Sequence, residues 1–507
     1  MIASKYAKRD MMESEFTQRA SRIAVHGLGL SVDVYSPDLL HLVQVLRDGG
    51  LRPGYLEVFK AAISALQWVR RHLQDMKLPY HGEGLWTTQP DFSHSSSGRQ
   101  GVAEACAQIA VLDSAWLNHE CATKQMAGYA FGTYLPPLYT DLSARMTAEN
   151  LNLLQAQVDE QARHHGTKPA LVLLEMPPLT YFGCGSLAIP AFFRTVTEHV
   201  ACGLVLDIGH LWTVYRYTGA WRRQTVGAFT AEFLDVFPME RVIEIHVAGL
   251  AEFTPHDDFR QAAEDAGLPY WIDAHGSPIP EVLFDLLAQV LEHPRLTSLK
   301  GVALEVDTKP VATIVTEFRR FCDRFETLAG GVEQAGQSAS LRWPRPEMVP
   351  YAESRRPLTS AEQATLSRQY QAYVRFVSGR PSQPSVSMTE EPTLLGGSLD
   401  DLNRYREIYL PYELLHWGGE LQDMFPKTCR MLAETLLPLE RFVPFWFSRP
   451  RSEENDYDFF LLKIDRFVEF VANDCPAAAG MVMEEAQELR TAYRAANEPV
   501  ESAEVRA

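Results

Sequence analysis

The sequence predicts an α/β protein: a TIM (β/α)8 barrel followed by a smaller all-α domain. Eight short apolar runs alternate with longer amphipathic stretches over roughly the first 300 residues, and this alternation is typical of a parallel sheet wrapped by helices. A doubly wound open sheet is the alternative. Beyond that stretch the composition shifts to Gly, Gln, Ser, Pro and Arg, and only helical patterns follow. The predicted organisation is a polar leader (1–21), the barrel (22–328), a linker (329–357), a helical domain (358–495) and a polar tail (496–507).

Each predicted strand is a short apolar run that ends in polar or turn-forming residues. The eight strands are Ile23–Val25, Tyr55–Phe59, Leu78–His81, Ala115–His119, Ala170–Glu175, Leu204–Asp207, Val242–Val247 and Gly301–Val306. Helical spacing predicts Lys60–Asp75, Val102–Leu112, Thr147–His164, Ala228–Phe237, Pro280–Leu291 and Val311–Leu328 in the barrel. The same spacing predicts Ser360–Val377, Asp400–Met424, Phe425–Leu437, Asp456–Ala472 and Ala478–Ala495 in the C-terminal third.

The overall composition excludes several functional classes. A formal net charge of -18 argues against nucleic-acid binding, because phosphate contacts need clustered Lys and Arg. The seven cysteines form no Cys-x-x-Cys pair and are odd in number, which indicates reduced thiols in a cytoplasmic protein. The charged N-terminus does not have the apolar core of a signal peptide, and no apolar run approaches the roughly 20 residues of a membrane span.

Histidines and carboxylates recur where the predicted strands end. In a TIM barrel these ends meet at one mouth, so the side chains should converge there. They are His81, His119, Glu175, Asp207 with His210, Glu244 with His246, Asp273 with His275, and Glu305 with Asp307. We expect His210 to lie in a loop after the sixth strand. Nitrogen and oxygen ligands without thiolate suit Fe, Mn or Zn, and their surplus predicts a multinuclear cluster.

Some of these residues also have ordinary structural interpretations. Glu120, Glu252 and Asp307 are expected to be solvated loop charges. Glu244 and His246 lie two residues apart on one strand, so both can point into the barrel, and Glu244 is almost as well explained by a buried salt bridge. The other singled-out histidines are expected to be structural or on the surface: His26, His72, His94, His164 and His165.

The order of the motifs resembles that of the multinuclear non-heme iron-dependent oxidative enzymes. The resemblance covers residues 22–325 and rests on sequences around Glu57, His81, Tyr134–Thr140, Glu175, Asp207–His210, Glu244–Gly249, Asp273–Pro278 and Glu305–Asp307. It implies a TIM barrel with two or three irons that uses O2 to modify a ribosomally synthesised precursor peptide, most often at cysteine, in natural product biosynthesis.

The resemblance also implies a ligand set. By position the metal ligands are His81, His119, Glu175, Asp207, His210, His246, Asp273, His275 and Glu305, and the candidate catalytic residues are Asp207 and His210. Two features depart from the family. Asn118 replaces the usual acidic residue before the fourth-strand histidine, and the segment Gln89–Gln100 is longer and more polar than the usual loop.

The helical C-terminal region has a second, weaker resemblance over residues 358–473. The sequences Arg404–Tyr409 and Met424–Thr428 are similar to partner proteins that accompany these oxidases and help to present the precursor peptide. This implies a peptide-recruiting domain fused in cis, and tethering raises the effective concentration of a weakly binding module. A helical oligomerisation or capping domain is the structural alternative.

Three functions therefore compete. The first is an iron- and O2-dependent oxidase that acts on a precursor peptide and binds neither nucleic acid nor membrane. The second is a metal-dependent hydrolase or sugar isomerase of the wider TIM-barrel group, and an endonuclease in that group would need a basic mouth. The third is a binding protein whose metal is only structural, which predicts no open coordination position.

Overall fold

Eight parallel strands close into a barrel, which confirms the predicted fold class. The computed structural model describes residues 2–178, 181–252, 271–335, 357–379, 392–448, 450 and 458–497. The barrel strands are Gly27–Val32, Leu56–Phe59, Tyr80–His81, Trp116–Glu120, Leu171–Glu175, Gly203–Asp207, Val242–Val247 and Gly301–Glu305. Each strand pairs with its neighbours along the chain, and the first strand closes the barrel against the eighth, from Gly27 beside Gly301 to Ser31 beside Glu305.

Seven of the predicted strands match barrel strands, but the first prediction is wrong. Ile23–Val25 lies outside any strand, and the first strand is Gly27–Val32. The reason is the ring of Tyr55, which fills the barrel interior beside this strand. A Cβ atom at Gly29 would lie 2.4 Å from that ring, so the strand needs glycine and lacks a continuous apolar run.

Helices surround the barrel, and the sequence patterns found most of them. Those of the first 335 residues are Ile2–Ser21, Leu39–Asp48, Ile63–His72, Ser96–Leu112, Asp141–His165, Ile189–His199, Ile208–Tyr217, Val226–Val236, Glu281–Leu291 and Val311–Ala335. The helices at 39–48, 189–199 and 208–217 were not predicted. The last helix continues past the predicted start of the linker at residue 329, and residues 336–356 of that linker lie outside the described residues.

The predicted polar leader contains a helix, Ile2–Ser21, that packs against the N-terminal end of the barrel. Phe16 and Ala20 are buried in a cluster with residues at the strand starts, including Trp116 and Leu171. The guanidinium of Arg241 lies over the Phe16 ring, 4.4 Å from its centroid. Phe16 and Ala20 therefore cover the N-terminal end of the barrel, which we call its floor.

Replacing Phe16 with alanine is expected to destabilise the protein by about 3 kcal/mol, because it leaves a cavity in the floor cluster. The measurement is the free energy of unfolding in urea. Gln18→Ala is the control, since Gln18 is exposed on the same helix. Equal stabilities of the two variants would contradict a packed floor.

Burial of His26 beside the floor cluster makes the stability of the protein depend on pH. Its ring lies 4.6 Å from the Trp116 ring, and burial lowers the pKa of His26 to about 4. A histidine whose folded-state pKa is depressed contributes stability at neutral pH, and this contribution is lost as the pH falls below the unfolded value near 6.5.

We therefore expect the wild type to lose roughly 2 kcal/mol more stability than His26→Gln between pH 7.5 and pH 5. The measurement is urea unfolding at both pH values. Identical losses in the two proteins would show that His26 takes up its proton as easily in the folded state as in the unfolded state.

The C-terminal region is mostly helical and packs on loops of the barrel. Its α-helices are Ser360–Val377, Leu399–Arg404, Leu410–His416, Leu421–Met424, Pro426–Glu434, Phe442–Trp446, Phe459–Asp474 and Ala479–Asn497. The predicted continuous helix Asp400–Met424 is wrong, because a π-helical turn at Tyr405–Tyr409 and the positive-φ residues Gly418 and Gly419 interrupt it.

A hydrophobic cluster joins this region to the hairpin Thr123–Met126 and Tyr129–Leu135, which follows the fourth barrel strand. The indole of Trp446 donates a hydrogen bond to the Ala130 carbonyl oxygen at 2.7 Å. Because side chains of both parts form one core, removal of the helical region would expose apolar surface on the hairpin. No helix among the described residues is long and apolar enough to cross a membrane.

Candidate metal centre

The barrel brings the predicted ligands to the carboxyl ends of its strands. His81, Glu175, Asp207 and Glu305 are each the last residue of a strand, and Asp207 lies beside His246 in the parallel register. All five side chains are buried. The convergence expected from the sequence is therefore present in the fold.

Glu175 is the most connected of these residues. One carboxylate oxygen lies 3.2 Å from His81 Nε2, and the other lies 3.2 Å from His246 Nδ1. Asn118, where the family usually has an acidic residue, donates a hydrogen bond to Glu175 at 2.5 Å. This departure from the family thus places a neutral donor on a candidate ligand.

His210 is delivered by a helix and not by the expected loop, so that prediction is wrong. The helix Ile208–Tyr217 begins directly after the sixth strand, with Asp207 as its N-cap. Asp207 Oδ1 accepts a hydrogen bond from the His210 backbone N–H at 2.6 Å, an arrangement typical of helix starts. His210 Nδ1 lies 2.6 Å from the Met176 carbonyl oxygen, so Nε2 is left to face Asp273 at 3.4 Å.

Asp273 and His275 extend the cluster towards Glu305. His275 Nε2 lies 3.2 Å from Asp273 Oδ2 and 3.3 Å from Glu305 Oε2. Its Nδ1 lies 2.5 Å from Asp307 Oδ1. The expectation that Asp307 is a solvated loop charge is therefore wrong, since this carboxylate orients a site histidine.

Two side chains stand differently from the prediction. His119 is buried, but its Nε2 contacts Thr87 Oγ1 at 3.0 Å and belongs to none of the candidate metal-binding groups found among the described residues. Glu120 is half-buried at the end of its strand, and burial with the charge of Glu175 raises the pKa of Glu120 to about 7. It is not a solvated loop charge.

Glu57 is a site residue that the ligand prediction missed. Its Oε2 lies 3.0 Å from His246 Nε2. Three candidate metal-binding groups have ligand atoms that lie within 4.8 Å of one another, and Glu57, Glu244 and His246 form one of them. The other two groups are His81, Glu175, His246 and Glu305, and Glu175, Asp207 and His210. A carboxylate inside the apolar strand Leu56–Phe59 is the signal that could have identified Glu57.

Close packing of these groups shifts their protonation. Burial by itself lowers the pKa of His81, but contact with Glu175 and the charge of Glu57 raise it to about 9. Burial raises the pKa of Glu175, yet His246 and His81 hold it well below its usual range. Burial also raises the pKa of Asp207 to about 7. The carboxylates gathered at the mouth thus favour the binding of protons or metal cations there.

The donor set fits a metal cluster. Several buried polar atoms have no hydrogen-bond partner: Nδ1 of His81, Nδ1 of His119, Oδ2 of Asp207 and Oδ1 of Asp273. Buried polar atoms are normally paired, so unpaired atoms at one mouth are consistent with open ligand positions. The groups contain imidazole and carboxylate but no thiolate, a set that suits Fe, Mn or Zn.

The chain matches the sequence model of a known family. Residues 59–323, more than half of the chain, match the sequence model of the RiPP precursor modification enzyme MbnB/TglH/ChrH. The chain belongs to this family. The match confirms the family resemblance seen in the motifs, and the family acts on ribosomally synthesised and post-translationally modified peptide (RiPP) precursors.

Two relatives are proteins named UPF0276. One, from Paraburkholderia phytofirmans, is 27% identical over 271 residues, which covers 50% of this chain and 76% of the relative. The other, from Rhizobium meliloti, is 27% identical over 261 residues, covering 50% and 73%. Among solved structures, endonuclease IV from Thermus thermophilus has a TM-score of 0.37 at 15% identity, covering 59% of this chain and 99% of that one.

Glu175→Gln and His210→Ala are each expected to lower metal affinity by more than roughly 100-fold, because each removes a donor from the cluster. The fold should persist, since neither side chain belongs to the hydrophobic core. Metal content after dialysis and circular dichroism measure the two properties.

The control for these variants is His164→Ala, whose side chain is 72% exposed on the helix Asp141–His165. It should bind metal like the wild type. Full metal content in His210→Ala or Glu175→Gln would contradict the placement of the centre.

Proposed function

We propose that this protein is an iron- and O2-dependent oxidase that modifies a ribosomally synthesised precursor peptide at cysteine. The observation that carries the proposal is the convergence of histidines and carboxylates around Glu175 in a member of a precursor-modifying family. Imidazole and carboxylate ligands with surplus donors suit two or three iron ions.

The proposed ligands are the nine residues of the sequence prediction: His81, His119, Glu175, Asp207, His210, His246, Asp273, His275 and Glu305. Glu175 and His246 each belong to two of the candidate groups, so each would help to hold more than one part of a cluster. His119 could bind a metal in two ways. Its Nε2 would first have to lose its contact with the Thr87 hydroxyl, whereas its Nδ1 has no hydrogen-bond partner.

Bound iron would supply one-electron chemistry with O2 and a Lewis acid for a cysteine thiolate. The chain's own residues orient that chemistry. Asp207, proposed as catalytic, fixes the helix that presents His210 and keeps its Oδ2 unpaired in the buried site. Seven of the nine proposed ligands are buried, which limits the access of water to them, whereas Asp273 and His275 are partly exposed at the mouth.

The O2 requirement can be tested with a candidate precursor as the substrate, namely a short cysteine-containing peptide encoded by a reading frame beside the gene. Iron-loaded enzyme is expected to change the mass of this peptide in air but not under argon, and a peptide with Cys→Ser should remain unmodified. Mass spectrometry measures all three reactions. The same product under argon would contradict an oxidase and favour the hydrolase or isomerase alternative.

We further propose that the C-terminal region helps to bind the precursor, as a partner domain fused in cis. A narrow groove of about 40 Å³ lies between Leu462 of this region and the barrel loops, where Trp86, Phe92, Met126 and Tyr129 line part of it. Trp86 precedes Thr87, which contacts His119, so one wall of the groove is continuous in sequence with a partner of a proposed ligand. An apolar peptide side chain there would be held close to the metal ligands.

Leu462→Gln is expected to weaken peptide binding about tenfold, which corresponds to about 1.4 kcal/mol, because it places an amide in the apolar part of the groove. Fluorescence anisotropy of the labelled peptide measures the affinity, and metal content should remain unchanged. Met483→Gln is the control, since Met483 is 59% exposed outside the groove. Equal affinities of both variants would contradict a role for Leu462.

A further inference from the structure

We infer that Glu57 is a positioning residue that fixes the ring of His246, so that Nδ1 faces the metal ligands and Nε2 carries the proton. This inference rests on the proposed metal centre. It assigns a role to a carboxylate outside the proposed ligand set, and it concerns residues that lie deeper in the barrel than the mouth.

The two nitrogens of the His246 ring face different pairs of carboxylates. Nδ1 lies 3.2 Å from Glu175 Oε1 and 3.2 Å from Glu305 Oε1. Nε2 lies 3.0 Å from Glu57 Oε2 and 3.6 Å from Glu244 Oε2. A neutral imidazole has one N–H, and only the nitrogen without hydrogen can bind a metal. The surrounding groups therefore decide which side binds.

The Glu57 side is already supplied with hydrogen-bond donors. Ser31 Oγ donates to Glu57 Oε2 at 2.8 Å, and the Trp116 indole donates to Glu57 Oε1 at 3.4 Å. Tyr55 donates its hydroxyl hydrogen to Glu244 Oε1 at 2.6 Å. Three neutral donors thus fix the two carboxylates, and an N–H from His246 completes the set. His246 Nε2 lies within 3.0 Å of Glu57 Oε2 but makes no aligned hydrogen bond, so the proposed role requires the ring to turn towards Glu57 when the site is completed.

The carboxylates on the Nδ1 side of the ring, Glu175 and Glu305, contact other candidate ligands and not neutral donors. Glu175 contacts His81, and Glu305 contacts His275. His81, Glu175, His246 and Glu305 together form a candidate metal-binding group of four buried residues. A metal held by this group would bind Nδ1 and leave the proton on Nε2.

This orientation distinguishes His246 from its neighbours. His210 and His275 each place Nδ1 against an oxygen, that of Met176 or Asp307, and turn Nε2 towards Asp273. In His246 it is Nδ1 that faces the other candidate ligands. The group that fixes this ring must therefore contact Nε2, from the barrel interior. Glu57 provides it from the second strand, where Ser31 is its direct partner in the register.

Acceptors behind metal-binding histidines fix the ring and its tautomer, and their loss typically lowers metal affinity 10- to 100-fold. We expect a decrease of roughly this size for Glu57→Ala. Glu57→Gln retains an acceptor oxygen and should recover most of the affinity. Glu485→Gln is the matched control, because Glu485 is a buried carboxylate in the C-terminal region that accepts hydrogen bonds from Lys427 and Thr428.

The test uses full-length protein loaded with cobalt(II) for affinity and with zinc for nitrogen NMR. Chelator titration should show the order wild type, Glu485→Gln, Glu57→Gln and then Glu57→Ala, with the first two equal. In the zinc protein, the His246 signals, assigned from their loss in His246→Gln, should show a metal-bound Nδ1 and a protonated Nε2.

Two outcomes would overturn the inference. One is an unchanged affinity and unchanged His246 signals in Glu57→Ala. The other is a metal-bound Nε2, with one ion lost in both Glu57→Gln and Glu244→Gln, which would make the Glu57 side a metal site. Both leave the proposed function standing, whereas failure of the wild type to bind any metal would refute the proposed function itself.

Discussion

The contact of Glu175 with two histidines is the interaction on which the site depends. Its two oxygens lie 3.2 Å from His81 and 3.2 Å from His246, and these side chains come from three different barrel strands. A buried carboxylate without positive partners is costly, so this arrangement must be completed by protons or by metal ions. One other strand lies between the strand of Glu175 and that of each histidine, so the carboxylate reaches both across the barrel interior.

The ionisable side chains of the site and the hydrophobic floor lie at opposite ends of the barrel. Phe16, Tyr55 and Trp116 pack at the N-terminal end, while the histidines and carboxylates lie at the opposite end. Glu57 and Glu244 lie between these layers and are held by Ser31, Trp116 and Tyr55. A rigid layer of hydrogen bonds thus supports the side chains that we propose as ligands, as precise metal sites require.

The sequence predicted the barrel and most of the mouth, because apolar runs and their polar ends are local patterns. It failed at Gly27–Val32, where close approach of Tyr55 imposes glycine. It failed at Asp307 because a pairing with His275 depends on a loop geometry that no local pattern encodes. Glu57 was missed as a site residue since it acts from within a strand. The predicted helix is interrupted near Tyr405, whose ring packs against Tyr181 and Phe182, two residues that are distant in sequence.

The central claim is that the mouth holds a cluster of iron ions. The most direct measurement is Mössbauer spectroscopy with elemental analysis on protein enriched in iron-57 and purified without oxygen. The account predicts two or more iron ions per chain in nitrogen and oxygen coordination, with coupling between them. Zinc or manganese without iron, even after reconstitution with ferrous iron, would contradict the account.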